Sequence, residues 1–193
     1  MQSRLDVLTE IIKSRRTIKP QAMNGKLIEE DSIKRILSLA DYAPTHGLTE
    51  PWRFVVFGGD QRISFCHEHA AMYLQNTPEN KFEKQKFEKL YHMGDKASHV
   101  VVAIMKRGDL PKIPEWEEKA ATAAAIQNIL LAATATGMAS YWGSGGMAQH
   151  PAMKKYFDLL NDDRVMGILY FGYADKLPVF SRNIPFDEKI KWM

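Results

Sequence analysis

Two stretches of this chain leave it little freedom of fold. HVVVAIM, residues 99–105, and VMGILYFGY, residues 165–173, are long apolar runs without a single Lys, Arg, Asp or Glu. Continuous β-branched and aromatic runs of this length read as strands buried on both faces. Such strands belong inside a sheet flanked by helices. The segments around them supply the helices. Leu5, Leu8, Ile11 and Ile12 recur at helical spacing, which predicts a helix over 2–14. Ile33, Ile36, Leu37 and Ala40 stripe a second helix, which must stop near Ala43 because Pro44 follows. WRFVVF, residues 52–57, reads as a strand closed by Gly58 and Gly59.

Further along, Asp60 is expected to cap a helix that runs to about Leu74. Residues 79–90 alternate Lys and Glu around Phe82, Phe87 and Leu90, as in a solvated helix or lid. RGDLPKIP, residues 107–114, is loop. Glu115 to Thr136 is the longest predicted helix and is rich in alanine, with Gly137 placed as its C′ residue. MASYW follows as a short strand, and Pro151 opens a helix reaching Leu160. The element order is therefore α, α, β, α, α, β, α, β, α, β. Helices and strands mix without strict alternation, so the class is α+β around one central sheet. One domain, 1–193, is expected, with 176–193 as a C-terminal arm that lacks a core of its own.

At 45% hydrophobic and 25% charged residues, the 193-residue chain has the balance of a globular protein. The net charge of +3 is too small to imply nucleic acid, and no five-residue run of Lys and Arg occurs. Cys66 is the only cysteine, which points to a reducing compartment. MQSRLDVLTEIIKSRR lacks the apolar core of a signal peptide, and no uncharged apolar stretch reaches 18 residues. A cytoplasmic protein that does not enter the membrane is expected. No cluster suggests a metal.

Four segments carry residues suited to chemistry. SRRTIK, residues 14–19, places Arg15, Arg16, Thr17 and Lys19 together, a good cradle for an anion. The alternative is a helix terminus whose cations complement the dipole. APTHGLTEPWRF, residues 43–54, is a polar loop between rigid elements, where His46 can donate to a ligand and Glu50 accept from one. It reads equally as an ordinary helix-to-strand turn. YWGSGGMA, residues 141–148, holds three glycines after a strand, which permits close approach of a flat or charged ligand. Gly143, Gly145 and Ala148 also satisfy G-x-G-x-x-A, so a dinucleotide-binding turn is the competing reading. Against it, His150-Pro151 delays the helix beyond the glycines. FSRNIPF, residues 180–186, carries Arg182 in an irregular segment, either closing a phosphate site or lying as a plain surface cation.

Together these segments resemble the nitroreductase family of FMN-dependent NAD(P)H oxidoreductases, in its compact bacterial YdjA-like branch. SRRTIK is similar to that family's R-R-S/T-x-[RK] opening, and APTHGLTEPWRFVVF to its A-P-S-x-x-x-x-Q-P-W-x-F-x-V segment. AAIQNILLAATATGMASYWGSGG resembles its A-x-Q-N helix and following loop, and ILYFGYAD with SRNIP its last strand and arm. The resemblance implies an α+β fold with a central mixed or antiparallel sheet, built as an intertwined homodimer with FMN at the subunit interface. It places Arg15, Thr17 and Lys19 at the FMN phosphate, ribityl chain and pyrimidine edge, with Arg16 beside them and Arg182 closing on the phosphate. Trp142, Gly143, Ser144 and Gly145 would lie along the isoalloxazine, and His46 and Glu50 would come from the other subunit. It further implies ping-pong hydride transfer from NADH or NADPH through flavin N5 to a small acceptor such as a nitroaromatic, quinone or enone. No protein side chain need act as acid or base. The chain departs from the pattern at Glu50, where the family usually has Gln; a carboxylate only accepts hydrogen bonds, whereas an amide also donates. A Rossmann-type dehydrogenase and a flavin-binding protein without turnover are the alternatives.

Overall fold

The computed structural model describes residues 2–179 and 181–193. The chain opens with helix α1 (Arg4–Ser14), whose start is set by a capping box. Ser3 Oγ accepts from the Asp6 N–H, and the Asp6 carboxylate accepts from the Ser3 N–H, each at 3.1 Å. Helix α2 (Glu30–Ser38) continues as a 3-10 turn to Tyr42, so the chain leaves helical geometry just before Pro44, as expected. Strand β1 (Trp52–Phe57), helix α3 (Gly59–Asn76), helix α4 (Lys84–Tyr91) and strand β2 (His99–Met105) follow. Helix α5 (Glu115–Ala135), strand β3 (Ala139–Gly143), helix α6 (Pro151–Tyr156) and strand β4 (Arg164–Gly172) complete the order anticipated from periodicity.

Most boundaries fall within two residues of expectation, but a cap, a helix end and one assignment differ. Gly58, not Asp60, is the N-cap of α3, and Asp60 sits in the first turn, where its charge complements the helix dipole. Helix α6 ends at Tyr156 rather than Leu160, because Asp158 adopts a left-handed backbone at φ +49°. Residues 79–90 are no loose lid: Phe82 and Phe87 pack against the core and Leu90 is buried within it. The alternating charges face solvent while the aromatics face inward.

The four strands form one sheet in the order β1-β2-β4-β3, and every pairing is antiparallel. The two strands singled out by their apolar runs are the central pair. All seven residues of β2 are buried. Val100, Val102, Ile168 and Tyr170 face α3 and α4, joining Phe65, Cys66, Ala70 and Tyr73. Val101, Ala103, Leu169 and Phe171 face α2 and α5, joining Ile33, Ile36, Ala125, Ile126 and Ile129. Each fully buried Val, Leu, Ile or Phe among them contributes roughly 1.5–3 kcal/mol. Cys66 is wholly buried in the first layer, and burial pushes its thiol pKa up to about 12. Helix α5 ends as the sequence implies: the Met138 N–H donates to the Ala133 carbonyl at 2.8 Å and the Gly137 N–H to Thr134 at 3.0 Å, a Schellman pair. An antiparallel sheet cannot hold a Rossmann βαβ unit, whose strands must be parallel, so the dinucleotide reading of Gly143, Gly145 and Ala148 is overturned.

Candidate functional site

Past α1 the chain runs beside the edge strand β3. The Ile18 N–H donates to the Ser140 carbonyl at 2.9 Å, and Thr17 bridges Ser140 in a parallel sense. Ile18 is buried beneath this contact and pins the segment to the sheet. The flanking cations are thereby held against β3. They open onto a cleft of about 770 Å³, within the usual range of roughly 300–1,000 Å³ for small-molecule sites. Its wall brings together Arg15, Arg16, Thr17, Trp142 and Arg182. Five of the eleven residues named from sequence thus converge here, Arg182 arriving from far along the chain.

No carboxylate lines this cleft among the described residues, whereas Lys13, Arg15, Arg16 and Arg182 all do. Burial first, then the positive charges of Arg182 and Arg16, lower the Arg15 pKa. Cations held close enough to repel one another form a site that an anion relieves. Arg16 is partly committed elsewhere. Its guanidinium turns back and donates to the Lys13 and Arg15 carbonyls at 2.5 and 3.0 Å, satisfying the end of α1. The helix-terminus reading therefore applies to Arg16 and the anion-cradle reading to Arg15.

The apolar part of the wall is Ile12, Leu130 and Trp142. The indole is fixed by a β-bulge. Between β2 and β4 the register shifts at Ala103 and Ile104, leaving Met166 as the extra residue. The Met166 carbonyl then accepts from Trp142 Nε1 at 3.0 Å. The adjoining Gly167 has φ +145°, and a Cβ there would run into the indole. Only glycine suits both the backbone and the close approach.

The remaining named residues lie elsewhere in the single chain. Lys19 is exposed, two residues beyond Thr17 and outside the cleft wall. His46 sits in a 3-10 turn, its Nδ1 2.6 Å from Glu117 Oε2 on the first turn of α5. Glu50 has a left-handed backbone at φ +42°, as does Leu48 at φ +53°. The Glu50 N–H donates to Thr45 Oγ1, and its carbonyl accepts from Arg53. The Arg53 contact is to the backbone, not to the carboxylate. Ser144 is exposed, and Gly143 and Gly145 border a second cavity of about 180 Å³ on the opposite face of β3. That cavity also touches His69, Lys86, Lys89 and Tyr141. Sequence reasoning missed Lys13, Gln127 and Ser140 in the main cleft. Gln127 carries a readable signal, a polar side chain amid the alanine and isoleucine of α5.

A neutral-to-apolar wall with a cationic end accepts a molecule with a flat body and an anionic tail, and FMN has that form. The "Nitroreductase-like Family Protein" of Bacillus cereus superposes with a TM-score of 0.85 at 26% identity, covering 100% of this chain and 98% of that one. The FMN-dependent nitroreductase NfnB of Mycobacterium smegmatis, solved with NADPH, superposes at 0.71 and 18% identity, covering 99% and 100%, a likeness of fold. YfhC of Bacillus subtilis is 28% identical over 189 residues, covering 97% of this chain and 94% of that protein. The family model described as "Nitroreductase family" matches residues 12–173, from the last turn of α1 to the end of the sheet, and the chain belongs to that family.

Proposed function

We propose that this chain is an FMN-dependent oxidoreductase that takes hydride from NADH or NADPH and delivers it to a small acceptor, a nitroaromatic, quinone or enone, in ping-pong turnover. The observation that carries the reading is the convergence of Arg15 and Arg182 on one cleft that Trp142 walls and that no carboxylate lines among the described residues. Bound FMN supplies the two-electron chemistry. Arg15, Arg182 and Lys13 hold its phosphate, and Thr17 contributes a hydroxyl. Trp142 and Leu130 exclude water from the flat body. Lys19, two residues beyond Thr17, would supply a positive charge at the pyrimidine edge and offset negative charge that develops there. The exposed amides of Ser144 and Gly145 are donors for the central ring. Related nitroreductases support the assignment: the enzyme of Bacteroides fragilis was solved with bound FMN and superposes at a TM-score of 0.70.

A second copy of the chain completes the site in this reading. Leu5, Leu8 and Ile12 are exposed on α1 at helical spacing, and exposed Tyr42, in the turn after α2, shares a groove with Leu8. His46 and Glu50 of one copy are then the residues that would complete the cleft of the other. Residues 1–193 act as one domain, with 176–193 as the arm that carries Arg182. Among the described residues no helix is long and apolar enough to cross a membrane. The cytoplasm is the compartment we assign.

The test combines affinity and reduction. Purified protein should bind FMN stoichiometrically and bleach under argon on addition of NADH or NADPH. Each charged hydrogen bond to phosphate contributes roughly 1.5–3 kcal/mol. Arg15→Ala and Arg182→Ala should therefore weaken FMN binding about ten- to a hundredfold, with riboflavin affinity changed less. Two variants with wild-type FMN affinity would move the phosphate site elsewhere.

A further inference from the structure

Behind the glycine loop, on the side of β3 away from the cationic cleft, α3 presents His69. The side chain is 2% exposed. Its Nε2 accepts the N–H of Met147 at 2.9 Å. A ring nitrogen that accepts carries no proton, so the proton of the neutral ring resides on Nδ1. That atom is buried and has no hydrogen-bond partner among the described residues. An unpaired buried donor is destabilising, and a phenylalanine beside Phe65 would avoid it. The histidine gives the fold one thing in return, its bond to the loop.

The loop needs that bond. The amides of Ser144, Gly145 and Gly146 donate to nothing within the chain among the described residues, while Met147, next in line, is held by His69. All three free amides belong to exposed residues. Gly146 is also shaped around the imidazole. Its φ is +66°, and a Cβ there would lie 2.7 Å from His69 Nε2 and 2.8 Å from Leu90 Cδ2. The ring and Leu90 fill the space that a side chain would take. One end of the loop is therefore paired into the sheet at Gly143 and the other is clamped to α3.

We propose that His69 is a positioning residue: it anchors Met147 so that the three free amides between Gly143 and Met147 stay aimed at a bound flavin, and thereby sets flavin affinity and potential without touching the flavin. The inference rests on the FMN reading of the cleft. Burial keeps the imidazole neutral, its pKa pushed down to about 4, so the acceptor lone pair on Nε2 is available at neutral pH.

Two variants separate the acceptor from the shape. His69→Phe fills the space and cannot accept. His69→Gln places Oε1 near the Nε2 position and can. In His69→Phe, hydrogen exchange at the Met147 amide should speed by at least about tenfold in protein without FMN. FMN binding should weaken by about tenfold, and the two-electron midpoint potential should shift. His69→Gln should restore all three. If His69→Phe does not fold, His69→Asn, whose side chain is too short to reach Met147, takes its place with the same expectations. A folded non-accepting variant with wild-type affinity and potential overturns the proposal, as does a His69→Gln protein that fails in the same way as His69→Phe. Wild-type protein that takes up no FMN overturns the reading of the cleft and this proposal with it; wild type and variant binding FMN alike overturn this proposal alone.

Discussion

An imidazole that accepts from a backbone amide can do so only while it is neutral. His69 has its pKa lowered from 6.5 to about 4 by desolvation. Lys86, Lys89, Tyr141 and Tyr170 share its cavity, and no carboxylate does among the described residues, so nothing there favours the imidazolium. The unfolded chain binds the proton more readily than the folded one. Stability from this group is therefore fully present above about pH 6.5 and is lost as the pH falls through about 4. Between pH 7 and 4.5 wild-type protein should lose roughly 2 kcal/mol more than His69→Gln, measured by urea unfolding at each pH. Equal losses in both proteins would place the titrating group elsewhere. His69 also shows where sequence reading stops. The cluster Arg15, Arg16, Thr17 is visible because cations and a hydroxyl crowd into a few residues. One histidine on an amphipathic helix has no pattern of its own, and its partner is a backbone amide 78 positions away. The left-handed backbones of Leu48 and Glu50 were equally hidden, since neither side chain favours that region.

At the scale of elements, the bulge in β4 does the most to shape the cleft. It turns the Met166 carbonyl to Trp142, and Gly167 makes room for the ring. Gly167→Ala places a side chain where only glycine is comfortable and where the indole already sits. The expected cost is about 1–3 kcal/mol or more in urea unfolding, with altered tryptophan fluorescence and weaker FMN binding. A variant as stable as wild type with an unchanged emission spectrum would refute this coupling. The strands themselves were legible, 52–57 and 99–105 to the residue, because buried runs and glycine boundaries are strong signals. Helix α6 was overextended, because no Gly or Pro marks the turn at Asp158. The bulge was invisible for a different reason: it depends on the register of two strands, which no local pattern encodes.

Across the whole molecule, the exposed apolar side chains are not scattered. Leu8 and Tyr42 border a shallow groove of about 290 Å³ that Ile11, Leu39, Leu131 and Ala132 also line, and Leu5 and Ile12 are exposed on the same helix as Leu8. Val179, Phe186 and Trp192 of the arm are exposed as well. Contiguous patches of this kind mark association sites, and obligate interfaces commonly exceed about 2,000 Å². Sedimentation should give twice the 22.0 kDa chain mass at low micromolar concentration. A monomer that still holds FMN one to one would exclude a site shared between copies. Legibility at this scale was partial. The alanine content of α5 is plain in the sequence but not what it packs against: Ala125 and Ala133 pack within the chain, and only part of the helix remains open to another copy.

The buried thiol of Cys66 has a practical consequence. It is the only cysteine in the sequence, it is fully enclosed, and its thiolate is out of reach at neutral pH. Maleimides and iodoacetamides need an accessible thiolate, so the native surface offers them nothing to modify. A cysteine introduced at exposed Ser144 would be the sole reactive handle, and a fluorophore attached there would report on the glycine loop without a background label to subtract.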